Sequence, residues 1–188
     1  HEEHVAETVR QTMVAKYGES AYTRGFKVYT SLIATDQAAA YRALRRGIMD
    51  YEQRQPYRGP EKFVSLPDDP AALDETVDDV LADRPDNGDL MSAVVLSATP
   101  REVVAVRGDG DPITITGAGL QIARVALSDK AAQTGKLRRG AVIRVVKGAR
   151  DSWTITQLPE VEGAFVALDP RDGAVRARCG ERMPNRGV

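Results

Sequence analysis

Leu90-Met91-Ser92-Ala93-Val94-Val95-Leu96-Ser97-Ala98, Glu102-Val103-Val104-Ala105-Val106-Arg107 and Pro112-Ile113-Thr114-Ile115-Thr116 follow one another with only short breaks, and their reading decides the fold. Each run is rich in β-branched and small apolar residues, the composition of a strand that packs on a core. The breaks, at Thr99-Pro100 and Gly108-Asp109-Gly110-Asp111, are turn sequences, because proline presets one backbone angle and glycine and aspartate tolerate the rest. The strand signal returns at Ala141–Lys147 and again at Trp153–Leu158. Residues 118–135, with Leu120, Val125 and Leu127 among alanines, predict a helix or compact loop between the third and fourth strands.

Three short strands, a helical insert and two more strands are the order of an oligonucleotide/oligosaccharide-binding (OB) barrel, a five-stranded, partly open Greek key. Working outward, residues 61–90 carry Pro67, Pro70 and Pro85 around an acidic helix at Ala71–Ala82 and read as a connector. Before it, Gln55-Pro56-Tyr57-Arg58-Gly59-Pro60 marks a boundary. Val5, Val9, Met13 and Tyr17 recur every four residues ahead of Gly18, and Ala40, Leu44, Ile48 and Tyr51 form a second helical stripe. Between these helices Phe26, Val28, Thr30 and Leu32 alternate as a strand would. After the barrel, Gly163–Leu168, the turn Asp169-Pro170-Arg171-Asp172-Gly173 and Ala174–Ala177 predict a hairpin. The fold class expected is α+β, mostly β: the five-stranded OB-like barrel set between a helix/strand/helix element and a β-hairpin.

The chain has 188 residues, 26 basic and 27 acidic, for a net charge of -1, and a single cysteine. One thiol excludes a disulfide framework and any multi-sulfur metal site. No apolar run reaches the roughly 20 residues that cross a bilayer, and no secretory leader pattern stands at the start. A chain opening on His1 reads as a piece of something longer. The neutrality is a sum of opposites: Asp68 to Asp89 holds nine acids against Arg84, whereas Lys136 to Arg150 holds only bases. Such blocks are either solvated faces or a docking surface for a partner of opposite sign.

Catalytic and metal patterns fail one by one. His1-Glu2-Glu3-His4 has two residues between its histidines where the zinc-protease helix needs three. Gly117-Ala118-Gly119-Leu120-Gln121-Ile122 places isoleucine where a dinucleotide fingerprint needs a small residue, and reads as a tight turn. Gly135-Lys136 is followed by Leu137 rather than the hydroxyl residue of a phosphate loop. Asp109 and Asp111 lack the further oxygens that calcium wants and suit a hairpin turn. Cys179 sits among charges with no histidine near it in sequence. No catalytic, cofactor-binding or metal residue is therefore assigned. A nucleic-acid reading is also weak, since Trp153 is the one aromatic from Leu90 to Leu158 and single-strand binders stack bases on several rings.

Two sets of residues carry a resemblance. Val28-Tyr29-Thr30-Ser31-Leu32, Gln37-Ala38-Ala39-Ala40 and Ala43-Leu44 resemble the strand-helix signature of class A penicillin-binding proteins, the bifunctional peptidoglycan synthases. Ile115-Thr116-Gly117-Ala118-Gly119-Leu120, Leu137-Arg138-Arg139-Gly140-Ala141-Val142-Ile143-Arg144-Val145, Trp153, Gln157-Leu158-Pro159-Glu160-Val161-Glu162-Gly163-Ala164 and Asp169–Ala177 resemble the barrel insert and re-entrant hairpin of that family's 1A branch. The resemblance implies a division: 1–60, linker and early strand-helix of a transpeptidase region; 61–158, the OB-like insert, with the acidic connector at 61–90 and the barrel at 91–158; 159–177, the first hairpin of the transpeptidase sheet. Residues 178–188, charged and broken by proline, depart from the family and suggest a frameshift, a truncated reading frame or a vector scar. The family's S-x-x-K, S-x-N and K-T/S-G motifs and its glycosyltransferase signature are absent from the chain. The resemblance thus implies a noncatalytic scaffold and regulatory segment of a peptidoglycan glycosyltransferase and D-Ala-D-Ala transpeptidase at the periplasmic face of the inner membrane. It carries no cofactor and reaches the membrane only through its parent. Its partners would be the rest of that synthase and an outer-membrane lipoprotein activator or other periplasmic cell-wall protein. Contact is expected at Asp74, Glu75, Asp78 and Asp79 or at Arg138, Arg139 and Arg144. The competing reading is a stand-alone OB module for single-stranded nucleic acid or glycan.

Overall fold

The structure is a computed structural model that describes residues 3–181 apart from Asp109 and Asp111. The metal reading of His1 and His4 and the cation reading of Asp109 and Asp111 therefore rest on side chains outside those described, as does the tail beyond Glu181. The chain divides into two compact units. Among the described residues, one is Glu52–Leu158, and the other combines residues 3–51 with residues 159–181.

The Glu52–Leu158 unit is built on one antiparallel sheet. Its strands are β1 (Lys62–Phe63), β2 (Met91–Ala98), β3 (Glu102–Val106), β4 (Pro112–Thr116), β5 (Ala141–Lys147) and β6 (Trp153–Thr156), in the order β1-β5-β2-β3-β4 with β6 also on β5. Strand β1 pairs with the first residues of β5 and β6 with the last, so the two short strands share one edge of β5. The mostly-β class expected from the sequence is present, but no closed barrel is found among the described residues. Among the described residues β4 and β6 do not pair, so the six-stranded sheet is open where a five-stranded barrel would close.

The central strands β2 and β5 read as largely apolar runs, broken by Ser92, Ser97 and Arg144, because both of their faces are covered. Ala93 and Val95 face an inner core with Val103, Ala105, Ile113, Ile115, Ile143, Val145 and Ile155. Val94 and Val142 face the other way, onto Val77 and Val80 of a helix. A register slip between Val95 and Ser97 is a β-bulge, which bends β2 and adds to the curl. The stretch between β4 and β5 is a compact loop: a single 3-10 turn, Gly117–Leu120, then turns that deliver Leu120, Ala123, Leu127 and Leu137 to the inner core. Two glycines are sterically required here. A Cβ on Gly119 would overlap the Trp153 carbonyl oxygen, and one on Gly140, at φ 85°, would overlap that of Val64.

The other unit contains α1 (Glu3–Tyr17), α2 (Ser20–Thr23), α3 (Ala34–Glu52, all but its last residue), β7 (Gly163–Leu168) and β8 (Val175–Glu181). The hairpin forms as expected, and β8 runs on to Glu181, so the first residues assigned to an atypical tail are strand: Arg178 lies opposite Val166, and Cys179 opposite Phe165. Cys179 is buried with Ala40 and Ala177. The strand predicted over Phe26–Leu32 does not form. Alternation is only half of what a strand requires; its backbone must also find a ladder, and here the segment instead sends Ile33 N–H to Arg176 O at 2.9 Å and the Ser31 hydroxyl to Val175 O at 2.8 Å. Tyr29 is left 88% exposed.

Candidate functional site

The helix α4 (Pro70–Ala82) carries the acidic cluster. Its start is set locally: the Asp69 carboxylate accepts from Ala72 N–H at 3.0 Å, and Pro70 occupies the first turn, where its missing N–H costs nothing. Val77 and Val80 recur three apart and bury against Val94, Val106 and Val142, with Leu73 and Leu81 beside them. That packing dictates the opposite face. Asp74, Glu75, Asp78 and Asp79 all project into solvent, at the i, i+4 spacing that puts Asp74 with Asp78 and Glu75 with Asp79. Among the described residues none of these four has an ion-pair partner, so like charges are stacked along one exposed ridge.

The basic block behaves differently. Arg144 lies on β5 with its side chain 4% exposed, and its Nε donates to Glu61 Oε1 at 2.6 Å while Nη2 reaches Oε2 at 3.3 Å. Its Nη1 donates to the Pro85 carbonyl at 2.8 Å. Arg144 is therefore no surface residue, and its place among the docking candidates is corrected: a buried guanidinium must spend its donors on fixed partners. Arg139 is exposed and donates to Pro67 O at 2.9 Å, with Asp68 Oδ1 at 3.5 Å. Arg138 donates to Gln133 O at 2.7 Å and stacks 4.1 Å from the Phe63 ring centroid. Lys136 meets Asp129 at 3.5 Å and Lys147 meets Asp151 at 2.7 Å. Much of the positive charge is thus matched inside the chain. The two predicted clusters differ in kind: the acids of α4 face outward unmatched, and the bases hold loops and strands together.

Trp153, half-buried at the start of β6, has Arg107 at 5.6 Å and Lys147 at 5.8 Å from its ring centroid. These cations occupy ground that a stacked base or sugar would need. Among the described residues no group of three or more His, Cys, Asp or Glu side chains could hold a metal ion, and no helix is long and apolar enough to cross a membrane.

Sequence reasoning missed a buried polar set within the Glu52–Leu158 unit, made of Glu52, Arg58 and Gln157. Gln157 stands 99 and 105 residues from Arg58 and Glu52 along the chain. The available signal was local: a charged residue closing the apolar stripe of a helix, and a glutamine directly after a strand.

Comparison with known proteins agrees with this architecture. The family described as Penicillin-binding protein OB-like domain matches residues 57–161. Penicillin-binding protein 1A of Neisseria flavescens is 38% identical over 177 residues, covering 94% of this chain and 22% of the relative. Penicillin-binding protein 1A of Escherichia coli (strain K12) is 35% identical over 183 residues, covering 94% and 21%. The crystal structure of Penicillin-Binding Protein 1A from Haemophilus influenzae superposes with a TM-score of 0.73 at 26% identity, over 94% of this chain and 25% of that one. The chain spans about a fifth of the length of the curated relatives it matches.

Proposed function

The chain belongs to the penicillin-binding proteins, through their OB-like domain, and from that premise we propose that it serves as a noncatalytic scaffold and docking segment of a 1A-type bifunctional peptidoglycan synthase. In this reading Glu52–Leu158 is an OB-like domain inserted into a transpeptidase region, and the flanking helices and hairpin are the pieces of that region nearest the insertion. The uncovered hairpin supports it: Val166 and Leu168 on β7 are 53% and 58% exposed, a face that a larger sheet would bury. The parent acts in cell-wall synthesis at the periplasmic face of the inner membrane, polymerising glycan and cross-linking stem peptides. This segment adds no group to that chemistry, since the serine and lysine motifs of the transpeptidase are absent from its sequence.

The observation that carries the docking role is the unmatched ridge of Asp74, Glu75, Asp78 and Asp79, set on a helix whose other face is locked into the core. It suits a basic surface on a periplasmic partner such as an outer-membrane lipoprotein activator. Arg138 and Arg139 flank the same connector and are the secondary contact. Charge reversal of the four acids to lysine should weaken capture of that partner, with a loss that shrinks as salt is raised. Binding that is unchanged at low salt refutes the assignment. Covalent labelling of the chain by a fluorescent penicillin would refute the noncatalytic reading separately.

A further inference from the structure

Glu52, Arg58 and Gln157 form a connected set. Glu52, at the end of α3, is 1% exposed. Its Oε1 accepts from Arg58 Nη2 at 2.5 Å and from Gln157 Nε2 at 2.8 Å. Arg58 Nη2 also donates to the Leu158 carbonyl at 2.6 Å. Gln157 answers in both directions: its Oε1 accepts the Arg58 backbone N–H at 2.9 Å, and its Nε2 reaches the Pro56 carbonyl at 3.2 Å. All but the first of these bonds join the incoming stretch, residues 52–58, to the outgoing one, residues 157–158. Glu52 and Leu158 are also the points at which the chain passes from one compact unit to the other.

The strands next to these stretches are the weakest in the sheet. Incoming β1 has two residues and outgoing β6 has four, and both hang on the same edge of β5. A strand held by so few ladder bonds at a sheet edge frays readily, because each residue released regains its backbone entropy. A buried carboxylate, by contrast, resists separation from its guanidinium, since each would be left as an unpaired charge in a site of low polarity. The arrangement therefore puts strong ties where the ladder is short.

We propose that Glu52, Arg58 and Gln157 are a clasp that holds the two chain ends of the OB-like unit side by side and so suppresses fraying of β1 and β6. The clasp residues are not part of the apolar core, most of which lies on β2 to β5, with Ile155 of β6 at its margin. Its loss should free the two end strands while the centre of the sheet stays closed.

Amide hydrogen exchange on the full chain tests this. Gln157→Ala, which leaves no charge unpaired, should speed exchange at Glu61, Val64 and residues 153–156 by about tenfold or more. Amides of Ala93 to Val95 and of Ile143 should keep their protection. Arg58→Met should act in the same places and more strongly; if that variant does not fold, Gln157→Ala decides alone. Unchanged exchange in β1 and β6, or an equal acceleration across β2 and β5, overturns the clasp.

Discussion

The two units of this chain differ in how they are held. Glu52–Leu158 has a two-sided core in which Ala93, Val94, Val95, Val103, Ala105, Ala141, Val142 and Val145 are all at 0% exposure. The helix-and-hairpin unit buries Ala40, Ile48, Ala177 and Cys179 with a few partly covered neighbours, and leaves Tyr29, Val166 and Leu168 in solvent. Since burial stabilises by roughly 25 cal/mol per Å² of apolar surface, the first unit carries its own driving force and the second draws little. The hairpin is held by hydrogen bonds instead. The outward edge of β8 is occupied by Gln37, whose Nε2 donates to Arg178 O at 2.7 Å and whose Oε1 accepts Arg178 N–H at 2.8 Å. One side-chain amide thereby reproduces what a neighbouring strand would supply.

Each unit holds a natural reporter, and the pair allows the contrast to be broken. Trp153, the only tryptophan, lies in the OB-like unit, and Cys179, the only cysteine, is buried in the other. The largest effect is expected at the buried ion pair. Arg144→Met leaves the buried Glu61 carboxylate with only the longer Arg84 contact at 3.9 Å and should cost about 3 kcal/mol, read from denaturant unfolding followed by Trp153 fluorescence, with the labelling rate of Cys179 unchanged. Replacing Glu61 by Leu together with Arg144→Met should recover most of that loss, because it removes the poorly matched buried charge.

Core truncation sharpens the same contrast. Ile143→Ala should destabilise the OB-like unit by about 2–5 kcal/mol, whereas Leu168→Ala on β7 should stay within about 0.5 kcal/mol in Cys179 protection. Equal losses would mean that the hairpin face is buried in solution.

A smaller gain is expected at the β5–β6 turn. Arg150 and Asp151 adopt φ of 57° and 56°, the left-handed pair of a type I′ hairpin turn, and Ser152 N–H closes it onto Ala149 O at 3.3 Å. Asparagine and glycine fill such positions with less strain. Arg150→Asn with Asp151→Gly should raise Trp153-monitored stability by about 1 kcal/mol, against the loss of an exposed Lys147 pair that contributes little.

The smallest effect concerns pH and the hairpin turn. The Asp169 carboxyl is held well below the usual carboxylate range, first by the Arg171 side chain, donating at 2.8 and 3.0 Å, then by the Arg171 N–H and by Arg176. Its stabilising contribution is complete above the ordinary carboxylate value of about 4 and is lost as pH falls through the depressed one. Cys179 labelling should therefore accelerate on acidification more in the native chain than in Asp169→Asn, when both are compared at matched intrinsic thiol reactivity. Parallel pH profiles would remove Asp169 as the lock of the turn.

Much of the β framework was legible because β2 and β5 are covered on both faces and so read as largely apolar stretches, while β4 keeps β-branched residues that alternate buried and exposed. The α4 helix was legible as an acidic run between prolines, while its Asp69 cap and the burial of Val77 and Val80 came from the structure. Strand β1 was not, since Lys62 and Phe63 are strand only by virtue of β5 lying beside them. Phe26–Leu32 misled for the converse reason, showing the alternation of a strand without the ladder. Arg144 misled because its charge was counted with its neighbours. The apolar residues on either side of it, Val142-Ile143 and Val145-Val146, were the sign that it points into a packed layer.

The sequence by itself determined the family, the α+β class, the succession of the main strands and the acidic face of α4, because each depends on patterns within a few residues of one another. Tertiary structure alone decided that the sheet stays open between β4 and β6, that Arg144 is spent on Glu61, and that Glu52 meets Gln157. Those outcomes depend on which distant groups share a low-polarity site, where a charge must find its partner whatever their separation along the chain.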